Sequence, residues 1–352
     1  MSLVEVPEDF HEFNTWAIQE RWSDGLPLIP PTCDLVDQMI AASQWPSDQV
    51  VAQIPPRLVG ATVELIAANA VMAGCLPSAM PILIAAVQAM ADPSVNLYGI
   101  QATTHPVALM LLVTGPLAQT AGIHGGVGLF GPGFPANASI GRAIRLIQQN
   151  IGGAWPGETD RSTQGTPAKF HFCFGENQDD SPWEPFRVRM GFDERESTVT
   201  IFGAEGPHNL NDHISVEPKG ILFTFAQTMA TVGTNNAYCP GEAVLVMGPE
   251  HAVIMNDAGL GPRDVQRYLA ERVTIPFKHW KIGGMFGHLP QPKHLAAADD
   301  DYPVRVFESA DEILLIVGGG PGRHSAWMPS LGFCRSATRV ISRPDGSRIL
   351  AV

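Results

Sequence analysis

The nine residues Pro106–Thr114 (PVALMLLVT) carry no charge and end at Gly115-Pro116. An unbroken apolar run of this length, closed by a glycine–proline step, suits a strand buried on both faces. Such a strand needs cover above and below, which restricts the chain to layered architectures. Further strands are expected at Ala243–Met247 and Glu312–Val317, and these too run into Gly248-Pro249 and Gly318–Gly322. The recurrence of a strand followed by Gly/Pro is a faint sign of an internal repeat.

Apolar spacing and end signals predict helices over Cys33–Ala42, Thr62–Ala73, Pro77–Met90, Asn137–Ile151, Gly220–Val232 and Pro262–Val273. Thr32 is placed to cap the first of these, and Gly74 to close the second. From Phe170 to Gly203 the apolar period shifts towards two, which reads as strands. Strands alternating with helices give an α/β fold with mixed sheets flanked by helices, in two domains. At roughly 150 residues per domain, the 352 residues divide into three parts. These are an N-terminal arm with a short helix (1–56), a first α/β domain holding a glycine-rich loop (57–205) and a second α/β domain (206–352). Three prolines and a glycine between Ser23 and Thr32 stiffen the arm, which is expected to wrap a neighbouring domain or subunit.

Charged residues are 16% of the chain, below the ~25% of an average soluble domain. So few charges imply much buried surface, in a large core or in subunit contacts, and a homo-oligomer is expected. The net charge is −13, with only five lysines. A surface this acidic is repelled by phosphate backbones and anionic lipid, which argues against nucleic-acid and membrane partners and leaves a small-molecule substrate or a protein partner. No secretory h-region opens the chain, and the apolar stretch Ala61–Met90 is broken by Glu64, Asn69, Gly74, Pro77 and Pro81. Five widely spaced cysteines without a CxxC suit free thiols in a reducing cytoplasm.

Chemistry-bearing residues gather in the irregular segments. Cys75 lies between two helices, where the positive end of the second favours a thiolate. Thr103, Thr104 and His105 stand just before the apolar strand. The loop Gly122–Pro135 holds six glycines and opens into Asn137-Ala-Ser-Ile-Gly-Arg142. Backbone N–H groups of His124, Gly125 and Gly126 at a helix start, with Asn137, Ser139 and Arg142, form a ready anion site. Packing against a neighbouring subunit is the other use of that loop. Within Trp155–Pro185, Lys169 and Glu176 suit proton transfer if buried. Gly318–His324 (GGGPGRH) is either an anion clamp with Arg323 or a tight turn. No HxH, HxxxH, HExxH, P-loop or GxSxG occurs, and the His208–His213 stretch is the nearest thing to a ligand cluster. The residue pattern therefore assigns no metal, and the cofactor is unknown.

The segments Trp22–Thr32 (WSDGLPLIPPT), Ala70–Cys75 (AVMAGC), Ala102–Pro106 (ATTHP), Asn137–Ala143 (NASIGRA) and Ser181–Pro185 (SPWEP) belong together. In them the chain resembles a widespread bacterial family associated with UGSC-type thiol/selenol proteins, well over residues 20–205 and loosely beyond. The resemblance implies an enzyme, with Cys75, His105, Arg142, Lys169 and Glu176 at matching positions, and supplies no substrate. His171 stands where similar sequences carry a small polar residue, which sets it apart from shared chemistry. The expected mechanism has a Cys75 thiolate as nucleophile and His105 as its acid or base. The glycine loop and Arg142 hold the anionic group of a small organic molecule, and Lys169 or Glu176 moves a second proton. Two alternatives stand beside it. One is a metal-dependent hydrolase or lyase in which His105, His124, His208 and His213 converge; the other is a non-catalytic subunit of a larger complex.

Overall fold

The computed structural model describes residues 4–283, Leu295 and 298–349. The arm carries α1 (Phe10–Gln19) and α2 (Cys33–Ser43), then the antiparallel hairpin β1 (Val50–Ile54) and β2 (Val59–Thr62). Helices α3 (Val63–Ala73), α4 (Met80–Met90) and the short α5 (Leu97–Gln101) lead into β3 (Ala108–Thr114). There follow α6 (Pro116–Thr120), α7 (Pro135–Asn150), β4 (Cys173–Gly175), α8 (Phe186–Arg189) and β5 (Thr198–Ala204). The second half starts with β6 (His208–Asn211), α9 (Pro218–Met229), β7 (Ala243–Met247), α10 (Pro249–Asp257) and α11 (Pro262–Arg272). It ends with β8 (Thr274–Pro276), α12 (Phe277–Ile282), β9 (Pro303–Arg305), β10 (Ile313–Val317), β11 (His324–Met328) and β12 (Ala337–Val340).

Two mixed four-stranded sheets carry the fold, in the orders β12-β5-β3-β4 and β6-β11-β7-β10. Each has two antiparallel pairings followed by one parallel pairing, so the sheets share one plan. In each, the third strand (β3 or β7) runs into Gly-Pro and a helix. The edge strands are exchanged: β6 follows β5 in sequence but pairs with β11, and β12 follows β11 but pairs with β5. The expected boundary at 205/206 therefore separates the two sheets except at β12, which returns to the first. The faint Gly/Pro recurrence marks two equivalent strands, β3 and β7, and β10 takes the place of β4.

The layers explain the apolar run. Ala108, Met110 and Leu112 of β3 point between the sheets, against Val244, Val246, Leu314 and Ile316. Leu109, Leu111 and Val113 point outward, to Ile66 of α3, Leu83 and Val87 of α4 and Ile144 and Ile147 of α7. On the far side, Leu245, Met247 and Leu315 meet Ile221 and Phe225 of α9 and Leu269 of α11. With both faces covered, a Leu111→Ala change leaves a void and costs about 2–5 kcal/mol.

The arm wraps its own chain. Phe13, Ala17, Leu28 and Met39 enter the core beneath α3 and α4, and Asn14 Oδ1 accepts from Leu28 N at 2.6 Å. Thr32 stands at the N-cap of α2 without a side-chain cap bond. The strand expected from Phe170 narrows to β4, because Pro167 opens a single 3-10 turn that ends at Lys169.

Candidate functional site

The amino end of β3 and the segment after α7 build one hollow. Asp160 Oδ1 accepts from Ser162 N (3.1 Å), a local turn that folds the segment back. It then docks on the Thr-Thr-His stretch. Arg161 N donates to Thr103 O (3.2 Å), Thr163 N to Thr104 O (3.0 Å) and Ser162 Oγ to His105 O (2.7 Å). The Pro167 turn delivers Lys169, whose ammonium donates to both Asp160 oxygens (2.8 and 2.7 Å) and to Ser162 Oγ (2.6 Å). Arg142, Arg145 and Gln149 lie on one face of α7, at helical spacing. Arg142 forks onto Asp24 with two 2.8 Å bonds and reaches Leu26 O. Arg145 comes within 3.4 Å of Asp160 Oδ2, its only ion-pair partner among the described residues.

These groups line a cleft of about 490 Å³ that includes Asp24, Arg145, Gln149, Asp160, Ser162 and Lys169. Two cations there, Arg145 and Lys169, face two carboxylates, Asp24 and Asp160; Asp24 is taken by Arg142 from outside the lining, so Arg145 and Lys169 share Asp160. Burial pulls Arg145 and Lys169 below their ordinary values, while Asp160 works to keep both charged. Burial alone would raise Asp160, but the hydrogen bond and charge of Lys169, helped by Arg145, hold its carboxyl below the usual range. Lys169 spends its three N–H groups on Asp160 and Ser162. Arg145 has donors to spare, and they open on the cleft.

The carboxyl end of β3 is built differently. Asn137 on α7 accepts from His124 N (2.8 Å) and donates to His124 O (2.9 Å), clamping the glycine loop. The His124 ring stacks on Phe134 at 3.6 Å, and its Nε2 meets Val127 O at 2.9 Å. The carbonyl can only accept, so the bond places a proton on Nε2. A Cβ on Gly125 would stand 2.5 Å from Gly175 O, so only glycine lets the loop meet the end of β4. Backbone bonds lace the strand ends together: Gly175 N to His124 O, Gly319 N to Gly125 O and Asn177 N to Val317 O, at 2.8–2.9 Å. A second cavity of about 460 Å³ forms there, lined by His124, Gly125, Gly126, Glu176, Asp179 and Asp180 and, among the described residues, by no lysine or arginine. Burial pushes the Glu176 carboxyl up to about 7, against the Phe186 N–H that bonds both its oxygens and the nearby Arg189 and Arg187.

The expected nucleophile lies in neither cavity. Cys75 is 9% exposed and belongs to the aliphatic core. Burial pushes its thiol up to about 12, and a hydrogen bond with Ser139 and the charge of Arg142 recover only part of the shift. The thiolate expectation is corrected accordingly, because desolvation outweighs what a helix terminus offers. Nor is His105 its partner: His105 Nε2 lies 3.0 Å from Glu205 Oε1, and its Nδ1 is buried without a partner. Arg142 is committed to Asp24, so it is not the receptor beside the glycine loop. Thr103 and Thr104 act through their carbonyls, and the Thr103 hydroxyl accepts from His105 N. Arg323 is likewise engaged, by the carbonyls of His213 and Ser215.

His105 meets Glu205, His124 meets Phe134, His208 lies in β6 opposite Trp327 and His213 meets His324, so the four histidines of the metal alternative do not converge. Among the described residues no three His, Cys, Asp or Glu side chains cluster as ligands. Asp24, Arg145, Asp160 and Ser162 escaped the sequence reading. Arg145 was within reach, one turn beyond Arg142 on the same helix face, and Asp160-Arg-Ser162 has the spacing of a side-chain-capped turn.

No protein-family model and no curated protein matches the sequence. Among the described residues no helix is long and apolar enough to cross a membrane.

Proposed function

We propose that the protein is an enzyme acting on a small anionic organic molecule held in the Arg145–Lys169 cleft. One observation carries this: a hollow of about 490 Å³, within the range of small-molecule sites, in whose wall Arg145 and Lys169 share the one carboxylate Asp160, because Asp24 is held by Arg142. Arg145 takes the anionic group with its spare donors. Lys169, tied to Ser162 Oγ at 2.6 Å, is the proton-transfer group, and Asp160 keeps it charged at rest. A carboxylate arriving at Arg145 loosens the Arg145–Asp160 contact and shifts the proton balance of Lys169. Cys75 holds its proton and supports the site from behind, through Ser139 and Arg142. A cytoplasmic homo-oligomer is part of the same proposal. Four buried free thiols and the exposed apolar side chains of Ile214, Val216 and Phe223 support it.

The test is calorimetric titration with acetate, succinate and inorganic phosphate. Saturable binding of at least one, weakened tenfold or more in Arg145→Met, is expected; binding that ignores Arg145, or none at millimolar concentration, refutes the proposal.

Glu176 supports a second function at the other end of β3. A buried carboxyl near 7, in a cavity at the ends of β3, β4 and β10 that His124 also lines, is tuned for acid–base work on a neutral or cationic molecule. Carbon NMR titration of the glutamates in wild type and Glu176→Gln checks it. A resonance titrating near pH 7 and lost in the variant is expected, and an ordinary carboxylate value removes the case.

A further inference from the structure

Beside the cleft lies an uncharged hollow of about 330 Å³, lined by Phe130, Phe172, Ala168, Pro207, His171 and Cys173. It shares Thr166 and Pro167 with the cleft. A narrow gap of about 10 Å³ borders both, sharing Arg145, Asp160 and Lys169 with the cleft and Ala168 and Phe172 with the hollow. Charged wall, gap and apolar hollow thus follow one another along the segment Thr166–Cys173. We infer that the molecule taken by this protein is an amphipathic acid, its anionic group on Arg145 and an aromatic or branched apolar body in the hollow beside Phe130 and Phe172. This rests on the function proposed above and names the substrate class of the same site.

The hollow suits a ring. Phe130 already packs edge-on against Phe172 and Phe174, at 5.8 and 5.1 Å between centroids, an arrangement that accepts a further aromatic edge or face. A dry protein cavity of about 150 Å³ holds benzene, so 330 Å³ has room for a ring and a short chain. Among the described residues no carboxylate, lysine or arginine lines it. Burial keeps the His171 imidazole below its usual value and the Cys173 thiol above its own, so both are neutral at pH 7. A polar or doubly charged ligand gains nothing there. An apolar one gains about fourfold in affinity for each methylene it buries.

The experiment is calorimetric titration of the full chain with acetate, phenylacetate and 2-phenylethylamine, in wild type, Arg145→Met, Phe130→Ala and Phe130→Leu, each checked for an unchanged melting temperature. Phenylacetate is expected to bind about 100-fold tighter than acetate, several methylene equivalents at fourfold each. Phe130→Ala should remove at least tenfold of that advantage without touching acetate, Phe130→Leu should restore part of it, and Arg145→Met should weaken both acids. Equal affinity for the two acids, or a phenylacetate advantage indifferent to Phe130, overturns the inference and leaves the anionic cleft standing. Failure of both acids to bind, or equal binding of the amine, takes down the cleft itself and the inference with it.

Discussion

The two ends of β3 are held by the same strand and the same helix, yet they carry opposite chemistry. At the amino end, side chains do the work: the half-buried cations Arg145 and Lys169 share Asp160, while Asp24 is held by Arg142. At the carboxyl end, glycine backbone closes the walls and the side chains that remain are acidic. The contrast turns on what each segment must pack against. The 155–170 segment faces α7, where Arg142 and Arg145 project. The glycine loop instead threads between the ends of β3, β4 and β10 at backbone contact distance, which leaves little room for long side chains. A glycine loop at a helix start is thus not an anion site when its neighbours are Glu176, Asp179 and Asp180.

Removing charge from the two ends should have opposite effects on stability. Lys169→Met leaves Asp160, whose side chain is 6% exposed, with Arg145 alone at 3.4 Å, and is expected to cost about 2 kcal/mol. Adding Asp160→Asn should recover much of it, and urea melts of the single and double variants show whether it does. Glu176→Gln should stabilise. With a carboxyl near 7 in the fold and 4.5 as its ordinary value, the native state binds the extra proton between those pH values. Wild-type stability therefore falls as pH rises from 4.5 to 7 and is level above. The variant loses that slope and gains about 3 kcal/mol at pH 8, measurable as the pH dependence of the urea midpoint.

Smaller effects sharpen the contrast. Gly125→Ala forces a Cβ to 2.5 Å from Gly175 O and should cost about 2 kcal/mol while leaving acetate affinity unchanged. A parallel loss of affinity would show that the two ends are coupled. Cys75→Ser should cost no more than about 1 kcal/mol and leave binding and turnover intact. Abolished activity in a folded Cys75→Ser protein would restore the thiol to the mechanism.

What could be read from the sequence follows the range of the interactions involved. β3 and β7 were legible because a run buried on both faces is apolar at every position. The helices α3, α7 and α11 announce themselves by spacing and end residues. The short strands β11 and β12, the β1–β2 hairpin and α10 were missed, since HSAWM and ATRV become strands only through partners far along the chain. The exchange of β6 and β12 leaves no local mark at all. In the site, Lys169 and the Thr103–His105 stretch were found by residue type, and the structure joins them through Ser162. Arg142 was misassigned because its acceptor, Asp24, lies 118 residues away. Cys75 was misjudged because the sign of its shift depends on burial among α3, α4 and the arm.

The most direct measurement of where the anion binds is an acetate titration followed by amide chemical shifts on isotope-labelled protein. Saturable shifts at Arg145, Asp160, Ser162 and Lys169, with Gly125–Gly128 unmoved, are the predicted outcome. Saturable shifts confined to the glycine loop would contradict the account.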